Sequence, residues 1–97
     1  MDDAIVVRYR TRPEAAQENQ RLVEAVFAEL AERRPEGLRY STFRLADVVT
    51  FVHVADGPGR SALGARPAFQ DFQREIAARV EVGPDATPAT LVGSYQS

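Results

Sequence analysis

One histidine is the most reactive side chain in this sequence. His53 is the only histidine in the chain, and it lies within the apolar run Val48–Ala55. Because an imidazole titrates near neutral pH, we predict His53 as a catalytic residue, acting as general base or proton shuttle, or as a single axial haem ligand. The alternative is a histidine that only hydrogen-bonds a neighbour or lies at an interface.

Three further residues are predicted to bind a substrate. Arg8 shares a strand face with Val6 and Arg10, and its guanidinium could orient an anionic ligand or stabilise an enolate-like charge. Tyr40 could offer its phenol hydroxyl to a ligand, and Phe51 could form part of a pocket wall. Each has a structural alternative: solvent or a cross-dimer ion pair for Arg8, and core packing for the two aromatic residues.

Several classes of site are excluded by composition and spacing. The chain has no cysteine and one histidine, so a zinc ion would have only carboxylates left to bind it. No nucleophile motif supports a Ser-His-Asp triad. The segment Gly57–Arg60 lacks the glycine spacing and the lysine of a phosphate loop, and no dinucleotide-binding fingerprint occurs. We therefore expect no metal and no cofactor.

The composition is that of one globular domain. The 97 residues leave no room for a second domain, so 1–97 is predicted to fold as a single unit. A net charge of -2 argues against a nucleic-acid partner, which would need clustered cations. The acidic start, Met1–Ala4, lacks the basic head of a signal peptide, and no run approaches the ~20 apolar residues of a membrane span. We expect a cytoplasmic protein without a membrane partner.

The periodicity of the apolar residues predicts the order strand, helix, strand, strand, helix, strand. Thr11-Arg12-Pro13-Glu14 has the spacing of a capping box at the start of the first helix. The predicted elements are strands Ile5–Arg10, Leu38–Leu45, Val48–Ala55 and Thr90–Tyr95, helices Thr11–Arg34 and Pro67–Val80, and a loop Glu81–Pro88. This order indicates an α+β ferredoxin-like βαββαβ fold, with an antiparallel sheet, both helices on one face, and the first and third strands central.

The third predicted strand is apolar on both faces, although helices can cover only one. The face expected to point away from the helices carries Val49, Phe51, His53 and Ala55, joined by Val6 and Phe43. Three to five such side chains, at ~1.5 to 3 kcal/mol each, are worth roughly 5 to 15 kcal/mol, comparable with the stability of a whole domain. The predicted cover is the same face of a second copy, which gives a homodimer through the sheet. The alternative is a monomer whose groove binds another protein or an apolar ligand.

The strand Val48–Ala55, the turn after it and the segment Leu63–Phe72 resemble the third strand and second helix of the dimeric α+β barrel superfamily, which contains the antibiotic-biosynthesis monooxygenase-like domains. Gly37–Tyr40 and Val92–Tyr95 are also similar to members of this group. The resemblance implies a homodimer in which the sheets of two protomers form a dimeric α+β barrel, with a cavity in each protomer between the sheet and its helices or loops.

The activities implied by this resemblance are diverse. Members include cofactor-independent oxygenases of polyketide quinols, haem-degrading enzymes, dismutases and proteins of no known activity. The quinol oxygenases are associated with asparagine and tryptophan, whereas this chain has no tryptophan, and its only asparagine, Asn19, lies on the predicted first helix. A solvent-facing position is expected for Asn19, and the alternative is that its helix face lines a pocket, which Asn19 would then reach.

The sequence leaves three candidate functions. The first is a monooxygenase-like dimer that binds or oxidises a small aromatic compound without metal or flavin. The alternative is a non-catalytic ligand-binding or structural homodimer, and haem handling through His53 is the third. An open pocket containing His53 with a polar group opposite favours an enzyme, whereas a filled interior favours a non-catalytic protein.

Overall fold

The computed structural model describes residues 4–95, so the ends of the predicted domain, residues 1–3 and 96–97, lie outside the described residues. The strands are β1 (Ala4–Thr11), β2 (Arg39–Arg44), β3 (Thr50–Asp56) and β4 (Val80–Ala89), and the helices are α1 (Ala16–Arg33), α2 (Pro67–Gln73) and α3 (Ile76–Arg79). Short 3-10 segments, Pro13–Ala15 and Arg60–Ala65, precede α1 and α2.

The strands form one antiparallel sheet in the order β2-β3-β1-β4. This order places the two most apolar strands in the centre and the polar β2 at an edge, where charge discourages unwanted pairing. The core joins one face of the sheet to the helices: Tyr9 and Phe51 pack in one cluster with Val23, Val26 and Phe72. The predicted ferredoxin-like α+β fold is therefore confirmed. Among residues 4–95, no helix is both long and apolar enough to cross a bilayer.

The first helix begins later than predicted. Its buried positions, Ala16, Asn19, Val23 and Val26, recur every three or four residues and form the stripe that faces the sheet. The predicted capping box is wrong, because Thr11 remains in β1, where its backbone amide donates to the Val49 carbonyl oxygen at 2.8 Å. The Thr11 hydroxyl donates to the same oxygen at 3.3 Å. The residue before the first helical turn is Arg12, and no described side chain caps the start of either this turn or α1.

The face of β3 that lies against the helices is the opposite of the predicted one. Phe51, His53 and Ala55 are buried on the helix side, and only 1% of Phe51 is exposed. Val6 pairs with Val54 and therefore lies on the outer face, as does Phe43, which pairs with Val52 and is 57% exposed. The alternation of side chains along β3 correctly predicted which of its residues share a face of the sheet. It could not predict which face the helices cover, because the residues on both faces are apolar.

The C-terminal half differs from the prediction in two places. The second helix is broken, because Glu75 adopts the left-handed conformation (φ 62°) between α2 and α3. The last strand is Val80–Ala89, which covers the predicted loop, whereas the predicted strand at 90–95 has no regular structure. Pro84 and Pro88 are tolerated because β4 is an edge strand that pairs only with β1. The glycine and the two prolines of this segment are typical of a loop, and the sequence-based prediction of a loop at Glu81–Pro88 rested on them.

Candidate functional site

β3 places His53 between two tyrosines beneath the helices. The ring Nε2 lies 2.8 Å from the Tyr9 hydroxyl oxygen, and Nδ1 lies 2.6 Å from the Tyr40 hydroxyl oxygen and 3.1 Å from Thr42 Oγ1. The sheet register explains this arrangement, since Thr42 pairs directly with His53 and Tyr9 is a diagonal neighbour on β1. Only 4% of His53 is exposed, and both ring nitrogens have hydrogen-bond partners.

The hydrogen bonds continue from Tyr9 into the helices. Asn19 of α1 is 0% exposed, and its Nδ2 donates to the Tyr9 hydroxyl oxygen at 2.8 Å. Its Oδ1 accepts a hydrogen bond from Nε of Arg79 at 3.1 Å. A continuous buried chain of hydrogen bonds therefore joins Arg79 to His53 through two intermediate side chains.

Arg79 reaches Asn19 because the backbone turns between α2 and α3. The left-handed Glu75 allows α3 to bring Arg79 back beneath the end of α2, where its guanidinium donates to the carbonyl oxygens of Phe72 and Arg74. These carbonyls belong to the last turn of α2 and to the residue that caps its C-terminus, so a cation there satisfies unpaired acceptors and complements the helix dipole. With 8% of its surface exposed, Arg79 is a structural part of the core.

Burial keeps the histidine and both phenols uncharged. It lowers the pKa of His53 from 6.5 to about 4, because an imidazolium in the core would lose its hydration. Burial also raises the pKa of Tyr40 to about 12. The pKa of Tyr9 is raised as well, by burial first and against a smaller lowering by the hydrogen bond from Asn19. At neutral pH, Arg79 carries the charge of this group, although burial lowers its pKa too.

A cavity of about 120 Å³ adjoins this network between the sheet and α2. Phe69 and Phe72 of α2, together with Leu63, form part of its apolar wall. Its polar lining comes from Tyr9, Tyr40, His53 and Gln73, and Gln73 is solvent-exposed and therefore marks the rim. The cavity thus has one polar end, built from a histidine and two phenols, and otherwise apolar sides.

The structure brings together two of the four predicted site residues. His53 and Tyr40 are hydrogen-bonded and both line the cavity. Arg8 is exposed on the outer face of the sheet, since it pairs with Val52, and it therefore lies away from His53. Phe51 lies on the same face as His53 but stacks on Tyr9 at 5.6 Å between ring centroids, behind the residues that line the cavity.

Sequence reasoning missed other members of this network. Asn19 was expected in solvent, although it lies three residues after Ala16 and four before Val23, on the buried stripe of α1. Its spacing was the signal that could have placed it in the core. Arg79 and Thr42 gave no comparable signal, because their positions depend on the break before α3 and on the β2 to β3 register.

The site does not fit a metal or haem. Within residues 4–95, no group of three or more His, Cys, Asp and Glu side chains is arranged to hold a metal ion. Both nitrogens of His53 already have hydrogen-bond partners, so neither is free to bind iron. The cavity of about 120 Å³ is also well below the ~300 Å³ at which pockets for drug-sized ligands begin, and a haem is larger than these ligands.

Comparison with known proteins finds the same fold at low sequence identity. No family model and no curated protein matches this sequence. Rv0793 from Mycobacterium tuberculosis is 19% identical with a TM-score of 0.76, over 99% of this chain and 100% of that chain. SnoaB, a cofactor-independent oxygenase from Streptomyces nogalater, is 19% identical with a TM-score of 0.69, over 99% and 98% of the two chains.

A third structure, a protein of unknown function from Nitrosomonas europaea, is 15% identical with a TM-score of 0.77, over 99% of this chain and 94% of that chain. An antibiotic biosynthesis monooxygenase also shares the fold, with a TM-score of 0.73. The predicted resemblance to antibiotic-biosynthesis monooxygenase-like proteins is therefore confirmed at the level of the fold.

Proposed function

We propose that this protein binds a small, single-ring phenol in the His53 cavity and oxidises it with molecular oxygen, without a metal or flavin. The observation that carries the proposal is a mostly apolar cavity whose polar end is a neutral histidine held between two phenols. Its volume of about 120 Å³ suits one ring, because an apolar cavity of ~150 Å³ binds benzene. SnoaB, described as a cofactor-independent oxygenase, shares the fold.

The polar end of the cavity supports removal of a proton from the ligand. A lining tyrosine hydroxyl can accept the phenolic proton while passing its own proton to His53. The phenolate formed in the cavity raises the pKa of His53, because each charge stabilises the other in a low-dielectric site. The site therefore becomes a better base only when an acidic ligand is present.

The reaction balances without a further reductant. The phenolate is electron-rich and reacts with O2 at a ring carbon, where one oxygen atom is retained as a carbonyl and the other leaves as water. The ligand loses its O–H proton and one ring C–H hydrogen and becomes a quinone. One phenol and one O2 thus give one quinone and one water, with four electrons transferred.

Oxygen uptake tests this function. Purified protein is incubated with single-ring phenols and a metal chelator, and O2 consumption and quinone absorbance are followed. We expect uptake that is retained with the chelator and falls at least tenfold in His53→Gln, which cannot accept a proton. Uptake that is unchanged in this variant would remove His53 from the reaction.

We also propose that two copies associate through the outer face of the sheet. Val6, Val52 and Val54 lie on this face, beside Phe43 and Val82, which are 57% and 48% exposed. The helices cover the other face, so in a single protomer these valines are only half-buried, and Phe43 and Val82 are exposed beside them. A two-fold pairing would bury the same residues of both copies. Sedimentation at micromolar concentration should therefore give the mass of a dimer, and a monomer would refute the pairing.

A non-catalytic ligand-binding homodimer is the second candidate function. The low pKa of His53 favours it, because a ring that resists protonation is a weak base until a ligand anion forms beside it. Calorimetry separates the two functions. Binding of phenol without O2 uptake would assign the cavity to ligand binding alone.

A further inference from the structure

We infer that Asn19 and Arg79 are positioning residues that hold the proton of neutral His53 on Nδ1, which makes Tyr9 the residue that passes a proton to the ring. The functional meaning of this inference rests on the proposed proton transfer at His53. The direction of the hydrogen bonds, however, follows from which atoms can donate and which can accept.

The direction begins at Arg79. A guanidinium has five N–H donors and no acceptor, so the Asn19 atom that faces Nε of Arg79 at 3.1 Å must be the amide oxygen. The amide nitrogen of Asn19 therefore faces the Tyr9 hydroxyl at 2.8 Å. An amide nitrogen only donates, so the Tyr9 oxygen is the acceptor of this bond.

The direction then passes through Tyr9 to His53. The Tyr9 hydroxyl has one proton, and Nε2 of His53 lies 2.8 Å from its oxygen. If Tyr9 accepted from both neighbours, its own proton would point towards a mostly apolar cavity without an acceptor, which is costly for a buried donor. Tyr9 therefore donates to Nε2, and Nε2 carries no proton.

The remaining proton of the neutral ring lies on Nδ1. Burial lowers the pKa of His53, so one ring nitrogen is protonated at neutral pH and the other is not. Nδ1–H donates to the Tyr40 oxygen at 2.6 Å, and Thr42 Oγ1 lies 3.1 Å from the same nitrogen. Unlike Tyr9, Tyr40 is only half-buried and shares a hydrogen bond with Thr42, so its own proton has a partner in this arrangement. Each bond of the chain thus has its donor on the Arg79 side and its acceptor on the Tyr40 side.

This order decides the route of a proton into the site. The basic nitrogen is Nε2, which faces Tyr9, whereas the nitrogen that faces Tyr40 is already protonated. Tyr9 is among the residues that line the cavity, and in this proposal its hydroxyl is the group that meets the ligand. A ligand proton is therefore passed to the Tyr9 oxygen as the Tyr9 proton moves to Nε2.

Nitrogen NMR of the histidine ring tests the inference without any turnover. Because the chain has one histidine, ¹⁵N labelling gives a single pair of ring nitrogen signals. At a pH well above the usual histidine pKa, we expect Nδ1 in the protonated range and Nε2 in the unprotonated range. Most neutral histidines in solution carry the proton on Nε2, so the expected pattern is distinctive. A proton on Nε2 in the native protein would overturn the inference.

Asn19→Asp is designed to reverse the chain with almost no change in shape. The new carboxylate can accept from Arg79 but cannot donate to Tyr9, so Tyr9 must donate to the carboxylate. The Tyr9 oxygen then accepts from Nε2–H, and the two ring signals should exchange their protonation states. Arg79→Lys is the matched control, because an ammonium also only donates and should leave the native pattern in place.

The outcomes separate this inference from the proposed function. If circular dichroism shows that Asn19→Asp is folded and its histidine proton is still on Nδ1, the inference is wrong. If the variant does not fold, the ¹⁵N spectrum of the native protein is the deciding test. Absence of O2 uptake would refute the oxygenase proposal without changing the ring signals. A reversed pattern in the native protein would refute the positioning role even if O2 uptake were observed.

Discussion

The buried histidine predicts that the protein loses stability in mildly acidic solution. His53 is neutral in the folded state, where its pKa is about 4, whereas an exposed histidine has a pKa near 6.5. Below that value the unfolded chain takes up a proton that the folded protein does not. Proton uptake by the unfolded state favours unfolding, so stability must fall as the pH decreases.

The size of the loss follows from these two pKa values. Each tenfold difference in proton affinity is worth ~1.4 kcal/mol, and the fall in the pKa from 6.5 to about 4 then corresponds to about 3 kcal/mol. The contribution of His53 is fully present above the unfolded value and is lost as the pH falls through the folded value. A domain of this kind is stable by only ~5 to 15 kcal/mol, so the change is easy to measure.

Urea unfolding of the native protein and of His53→Gln measures this contribution. Both proteins are unfolded at several pH values between 7 and 4, at one protein concentration because association would add to stability. The carboxylates contribute to both curves, whereas only the native protein contains the histidine. The unfolding free energy of the native protein should therefore fall by about 3 kcal/mol more than that of the variant over this range.

None of the described groups that hydrogen-bond to His53 titrates between pH 7 and 4, so the difference between the two proteins reports on the histidine. Tyr9 and Tyr40 hydrogen-bond to the ring, both have raised pKa values, and neither ionises in this pH range. Among residues 4–95, no carboxylate is hydrogen-bonded to His53. A difference between the two proteins that does not change with pH, or an NMR titration of His53 near 6.5, would refute the account of its burial.

Three further predictions concern the outer face, the cavity and the start of α2. Phe43→Asp should convert the proposed dimer to a monomer in sedimentation. Val48→Asp is the control, because Val48 is equally exposed (56% against 57%) but lies in the turn between β2 and β3, and this variant should remain a dimer. If both variants dissociate, the dimer does not form specifically through the outer face of the sheet. Leu63→Trp should fill the cavity and abolish phenol binding in calorimetry, and retained binding would place the ligand elsewhere. Glu29→Ala should cost about 1 to 2 kcal/mol in urea unfolding, because Glu29 accepts the Ala68 amide at 2.8 Å, whereas Glu29→Gln keeps an acceptor and most of the stability.

Short-range patterns were sufficient for the fold class and for the first three strands and the first helix. The period of the apolar residues identified β1, β3 and α1, and the apolar character of β1 and β3 placed them in the centre of the sheet. These features are local, because alternation or a four-residue repeat is visible within one element. The same patterns misassigned the C-terminal strand, since proline and glycine indicate a loop unless the strand is known to lie at an edge.

The candidate site was predicted only in part for a related reason. His53 and Tyr40 could be selected by their chemistry, and the structure joins them through a hydrogen bond of 2.6 Å. Arg79 could not be selected, because its bond to Asn19 links residues 60 positions apart and needs the break between α2 and α3. Arg8 was selected for its chemistry and lies on the opposite face, because the strand register, not the residue type, decides where a side chain points.

From the order of its residues alone, this protein could be placed as a four-stranded α+β domain with a histidine in a central strand. Which side of that strand lies under the helices was decided by packing, because both sides are equally apolar. Packing also brought Tyr9, Asn19 and Arg79 to His53 and left a cavity beside them. Such contacts depend on strand register and helix position, which no local pattern specifies.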